Sequence, residues 1–186
     1  IYILILIYDG LALWYTAPMT AISQLQMSYS PEEDRILLRV NTDNGEEFRF
    51  WLTRRFSQLL VQALAAHRAV DPDVSTQATP VAKQAVQTFK QEAAQEKGDF
   101  EQEFRQSESF PLGDKPVLAY KLSYSIEKNK LKLSFEPKSG HGINIVLDSD
   151  LNFNVSKLLR GASEKGQWFL DWGSAPENAT ESRVIN

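Results

Sequence analysis

The chain has 186 residues, of which 42% are apolar and 24% charged, and it carries a net charge of −4 at pH 7. That size permits one domain, or two small ones, with a real core; the acidic balance excludes a generally basic nucleic-acid coat but leaves room for a local basic face. No cysteine is present, which removes disulfides, thiolate metal sites and cysteine nucleophiles and leaves the compartment open.

Residues 1–18, "IYILILIYDGLALWYTAP", form a strongly apolar leader. The run is shorter than the ~20 residues a transmembrane helix needs and is broken by Asp9-Gly10. It also lacks the basic start of a secretory signal. Two readings lead: a non-native appendage, with Met19 as the true start, or a hairpin turning at Asp9-Gly10. A membrane segment ranks last.

Residues 19–70 read as a β-β-β-α unit. Leu25, Met27 and Tyr29, then Ile36, Leu38 and Val40, then Phe48, Phe50 and Leu52 alternate onto one face, which is the expected core face. The opposite face carries Arg35, Arg39, Arg49 and Trp51. "SPEEDR" and "TDNGEE" supply the tight turns. "RRFSQLLVQALAAHRAV" places Phe56, Leu59, Leu60, Ala63 and Leu64 on one helical stripe.

Residues 71–116 read as a linker and a central helix. "DPDVSTQATP" has linker composition, and Thr79-Pro80 matches an N-cap followed by Pro at the first helical position. Val81, Ala85, Phe89 and Ala93 then keep helical spacing until Gly98 interrupts or ends the helix. "SESFPLGDKP" is a second loop.

Residues 117–172 read as a second β-β-β-α unit. "LSYSIEKNKLKLSF" (Leu122 to Phe135) echoes "MSYSPEEDRILLRV" (Met27 to Val40), including Ser-Tyr-Ser-x-Glu, and Gly140 takes the place of Gly45. An internal duplication explains the echo; the alternation common to all antiparallel hairpins explains only part of it. The inward set is Tyr120, Leu122, Tyr124, Leu131, Leu133, Phe135, Ile143, Ile145 and Leu147, and the outward set includes Lys121, Lys130 and Lys132. "DSDLNFNVSKLLRG" suits a helix or a strand. Residues 173–186 are a polar tail, expected to be mobile. The expected fold is therefore α+β: two antiparallel β-β-β-α units joined by a long helical connector, in one pseudo-symmetric sheet or two separate ones.

The segment "PEEDRILLRVNTDNGEEFRFWLTRRF" (Pro31 to Phe56) resembles a stretch near the start of a group of uncharacterised proteobacterial proteins, which begin with a short strand, this hairpin and a helix. The resemblance implies a small bacterial, cytoplasmic protein and Met19 as its start. It implies no activity and no site.

Two distant histidines, His67 and His141, without cysteine or spaced acids, do not make a metal site, and each is expected to be structural or exposed. There is no Gly-x-Ser-x-Gly elbow, "KSGHG" lacks the phosphate-loop pattern, and the acidic turns lack calcium-loop spacing. The expectation is a non-enzymatic binding or scaffold protein without cofactors, whose partner is another protein or a second copy of itself. Edge strands, the charged helix "FKQEAAQEKGDFEQEF" and exposed Trp51, Trp168 and Trp172 would offer the surfaces. The central helix would pair with its copy or, more plainly, cover one sheet. The alternative is single-stranded nucleic acid, with Arg35, Arg39, Arg49, Lys121, Lys130 and Lys132 attracting phosphates and Trp51 stacking on bases. Against it stands the proximity of Glu32, Glu33, Asp34, Glu46 and Glu47, which can pair with the arginines.

Overall fold

A computed structural model describes residues 21–100 and 102–173, together with the backbone of 183–185. The apolar leader 1–18 and most of the polar tail lie outside the described residues. Alternation builds β1 (Ile22–Ser30), β2 (Arg35–Thr42) and β3 (Glu47–Leu52). Their registers pair Met27 with Leu38 and Leu38 with Phe50, so the inward residues stack in rows across the strands. At the β2–β3 turn Gly45 adopts φ +75°, a left-handed conformation that glycine enters without steric penalty.

Helix α1 (Arg54–Ala69) follows at once, capped by the Thr53 hydroxyl, which accepts from the Phe56 amide. The expected linker contains one short helix, α2 (Pro72–Ser75). The central helix α3 (Pro80–Lys97) has Thr79 as N-cap and ends at Gly98, as its sequence dictates. Residues 102–116 form an irregular strap, and then come β4 (Val117–Glu127), β5 (Lys130–Pro137) and β6 (Ile143–Leu147). The ambiguous segment is helical, α4 (Ser149–Lys165), because the Asp148 carboxylate accepts from the Leu151 amide and starts a helix there.

All of these strands lie in one mixed sheet, ordered β1-β2-β3-β4-β5-β6. The two halves join through a short parallel contact, Phe50 opposite Val117 and Trp51 opposite Leu118; the other neighbours along this order are antiparallel. A three-residue strand, β7 (Arg183–Ile185), extends the sheet beside Leu122–Tyr124 of β4. One core serves both halves. Phe56, Leu60 and Leu64 of α1 and Val155 and Leu159 of α4 bury themselves among the inward residues of β2, β3, β5 and β6. Phe135 links the halves, with ring centroids 6.0 Å from Phe50 and 5.8 Å from Phe56. No helix among the described residues is long and apolar enough to cross a membrane.

Two expectations need correction. Tyr120 does not face inward: a bulge between Ala119 and Lys121 advances the strand by one residue, so Ala119 is buried and Tyr120 is 51% exposed. Trp168 is not exposed either. It is buried edge-on to Tyr29, and its indole Nε1–H donates to the Asp34 carboxylate at 3.2 Å.

Candidate functional site

The register of β2 and β3 sets Arg39 directly opposite Arg49 on the outward face. Two like charges so placed repel, and the chain resolves this with Glu47, whose carboxylate is fully buried. Its Oε1 accepts from Arg39 Nε at 2.7 Å and from Arg49 Nε at 2.6 Å, and its Oε2 accepts from the Ser107 amide at 3.2 Å. Burial alone would push this carboxyl up; the bonds from Arg49, Arg39 and Ser107 outweigh it and bring its pKa down to about 2.

The strap 102–116 lies across this clamp. The Arg39 guanidinium sits 4.1 Å from the Phe104 ring centre and that of Arg49 sits 4.4 Å from Phe110. Arg49 Nη1 also donates to the Asp114 carbonyl at 2.7 Å, and Asn41 Nδ2 donates to the Arg105 carbonyl. Ser107 Oγ donates to the Gly45 carbonyl, and the Glu47 amide donates to the Ser109 carbonyl at 2.8 Å.

The other residues chosen from sequence do not converge. Arg35 pairs with Glu33 at 3.2 Å in solvent, and Trp51 is half-buried on the outward face. In the second half Lys121 pairs with Glu136 at 3.2 Å and Lys132 with Glu127 at 2.6 Å. Lys130 is exposed and makes no ion pair among the described residues. Of the chosen cations, all but Lys130 are compensated by a carboxylate of the same chain.

Of the two directions the sequence left open for the apolar stripe of α3, the structure has the outward one. Val81 is 79% and Phe89 71% exposed, and Ala85 between them is exposed too. Residues four apart share a helix face, so the apolar stripe points to solvent. The reason is ionic. Asp71 is buried at the end of α1, and Lys90, on the opposite side of α3, reaches it at 2.6 Å. Asp71 also accepts from the Ser149 hydroxyl at 3.3 Å. Burial raises the Asp71 carboxyl, but the bonds from Lys90, the Asp73 amide and Ser149 together outweigh it and lower it; burial lowers the Lys90 ammonium, and Asp71 and Asp73 together more than restore it. With Lys90 and Ala94 turned toward the body, Val81, Ala85 and Phe89 must turn outward.

His67 is structural. Buried at the end of α1, it donates from Nε2 to the Asn129 carbonyl at 3.1 Å while Nδ1 accepts from Asn152 Nδ2 at 2.9 Å. Burial lowers its pKa, consistent with a neutral ring. Asn152 itself is fully buried and ties α4 to the Leu64 carbonyl of α1. His141 is exposed in the turn after β5. Among the described residues no cluster of three or more His, Asp or Glu side chains could hold a metal ion.

No known protein family, curated protein or solved structure matches the chain.

Proposed function

We propose that the protein is a non-enzymatic binding module of the bacterial cytoplasm, akin to the proteobacterial group its Pro31 to Phe56 segment resembles, and that it self-associates through α3. The observation that carries this reading is the outward apolar stripe of Val81, Ala85 and Phe89. Large, small and medium side chains in line suit an antiparallel two-fold pair. Phe89 of one copy then meets Val81 of the other, and Ala85 lies at the crossing, where a small side chain lets the helices approach. Burying a Phe or Val side chain contributes about 1.5–3 kcal/mol, and a two-fold pair buries four of them. Set against the loss of translational and rotational freedom, this suggests a weak dimer, roughly micromolar or weaker.

A pseudo-repeat accords with the element order, three strands and a helix on either side of α2 and α3, with β4, β5 and β6 running in the directions of β1, β2 and β3. We take the two halves as copies of one ancestral unit. Catalysis is not part of the proposal: the perturbed buried groups Glu47, Asp71 and His67 are each saturated by partners from the same chain, which is the pattern of structural networks.

Sedimentation velocity over a concentration series tests the proposal. The wild-type chain should pass from monomer to dimer, and V81E/F89E, with an unchanged circular dichroism spectrum, should remain monomeric. A wild type that stays monomeric to millimolar concentration, or a double variant that dimerises equally well, overturns it.

A further inference from the structure

We propose that the cleft between α1, α3 and α4 is a binding site for a small phosphate monoester, held by Arg68, Lys157 and Arg160. The cleft encloses about 320 Å3, at the lower end of the ~300–1,000 Å3 of small-molecule sites. Its walls include these three cations and no carboxylate among the described residues. That composition is unusual for a chain of net charge −4. Elsewhere this protein sets acids beside its buried or half-buried cations, as Glu47 stands beside Arg39 and Arg49, and Asp71 beside Lys90.

Here the half-buried cation, Arg68, has no acid beside it among the described residues, and the two exposed cations rest on aromatic rings. Lys157 Nζ lies 3.8 Å from the Phe100 ring centre and the Arg160 guanidinium 4.3 Å from that of Trp172. These contacts hold the side chains without neutralising them. None of the three cations makes an ion pair among the described residues.

Arg68 is the fixed element. Its Nη1 donates to Asn152 Oδ1 at 2.9 Å and to Ser156 Oγ at 2.8 Å, which leaves Nη2 and Nε uncommitted. Asn152 cannot swing away, because its Nδ2 is held by the Leu64 carbonyl and by His67 Nδ1. The guanidinium is thus aimed before any ligand arrives, and its planar fork matches two phosphate oxygens. Burial, and then the positive charge of Arg160, bring its pKa down to about 10, a strain that an anion between the two would relieve. Three positive groups suit a dianion better than a single carboxylate. The α3 wall adds Gln84, Gln87 and Gln91, whose amides both donate and accept and can meet the hydroxyls of an esterified sugar. This wall is not the outward stripe of α3, so the site stands whether or not the chain dimerises.

Isothermal titration of the full chain at constant ionic strength, with inorganic phosphate, ribose 5-phosphate and a short oligothymidylate, tests this. The expected result is saturable binding that is tightest for ribose 5-phosphate. K157Q/R160Q, which alters only exposed side chains, should keep its melting temperature and lose at least about tenfold in affinity, the effect of one charge-assisted hydrogen bond. Absence of saturable binding, or equal affinity in the variant, overturns the site. Tighter binding of inorganic phosphate, or of the oligonucleotide, overturns the monoester assignment.

Discussion

Replacing Glu47 by Gln keeps the shape of the Arg39–Glu47–Arg49 clamp and removes its negative charge. The carboxyl titrates at about 2 in the folded chain against 4.5 for the free group. At about 1.4 kcal/mol per pH unit of displacement, that difference is worth about 3 kcal/mol. The side chain is wholly shielded from solvent, so little of this is lost to screening. The sign follows from a folded pKa below the unfolded one. The contribution is complete above pH 4.5 and drains away as pH falls from 4.5 towards 2. Urea titrations of wild type and E47Q should therefore differ by about 3 kcal/mol at pH 7 and by only about 1 kcal/mol at pH 3. A difference below about 1 kcal/mol at pH 7, or one that does not shrink at pH 3, would refute the clamp as the stabilising device.

Three further outcomes follow from the same geometry. Burial lowers the pKa of His67 from 6.5, so its neutral form supports the fold above pH 6.5 and the protein loses stability as pH drops below that value; H67Q should show a shallower decline in chemical denaturation, and equal slopes would contradict this. In G142A the new methyl group would lie 1.6 Å from the Phe135 carbonyl oxygen, so the turn between β5 and β6 must move, at a cost of about 2 kcal/mol or more in thermal melts. K90M leaves the buried Asp71 without its ammonium and should loosen α3 first, seen as faster amide exchange over 80–97 than in the sheet.

Strands, turns and helix caps were legible because each is a local rule. Alternation marked the core face of β2 and β3, and Thr53 and Thr79 announced the starts of α1 and α3. What was not legible depended on long-range partners. The bulge that exposes Tyr120 is set by the register against Pro137 and Glu136, which the sequence of β4 alone does not encode. Arg39 and Arg49 were visible as an outward basic pair, but only the register shows them opposed, with Glu47 chosen from five nearby acids. The spacing of the α3 stripe was legible but its direction was not: pairing with a copy and covering a sheet both fit the sequence, and the long-range Lys90–Asp71 pair decides. The cleft around Arg68 gathers residues from three helices and has no signature in any one of them.

Self-association through α3 is tested most directly by cross-linking, since the native sequence contains no cysteine to interfere. In an antiparallel pair crossing at Ala85, two copies of A85C bring their thiols within disulfide reach. In E92C the equivalent positions are about 20 Å apart along the helix axes at 1.5 Å per residue. Mild oxidation should convert A85C, and not E92C, to a covalent dimer. An A85C protein that stays monomeric, or an E92C protein that links as fast, would contradict the antiparallel α3 interface.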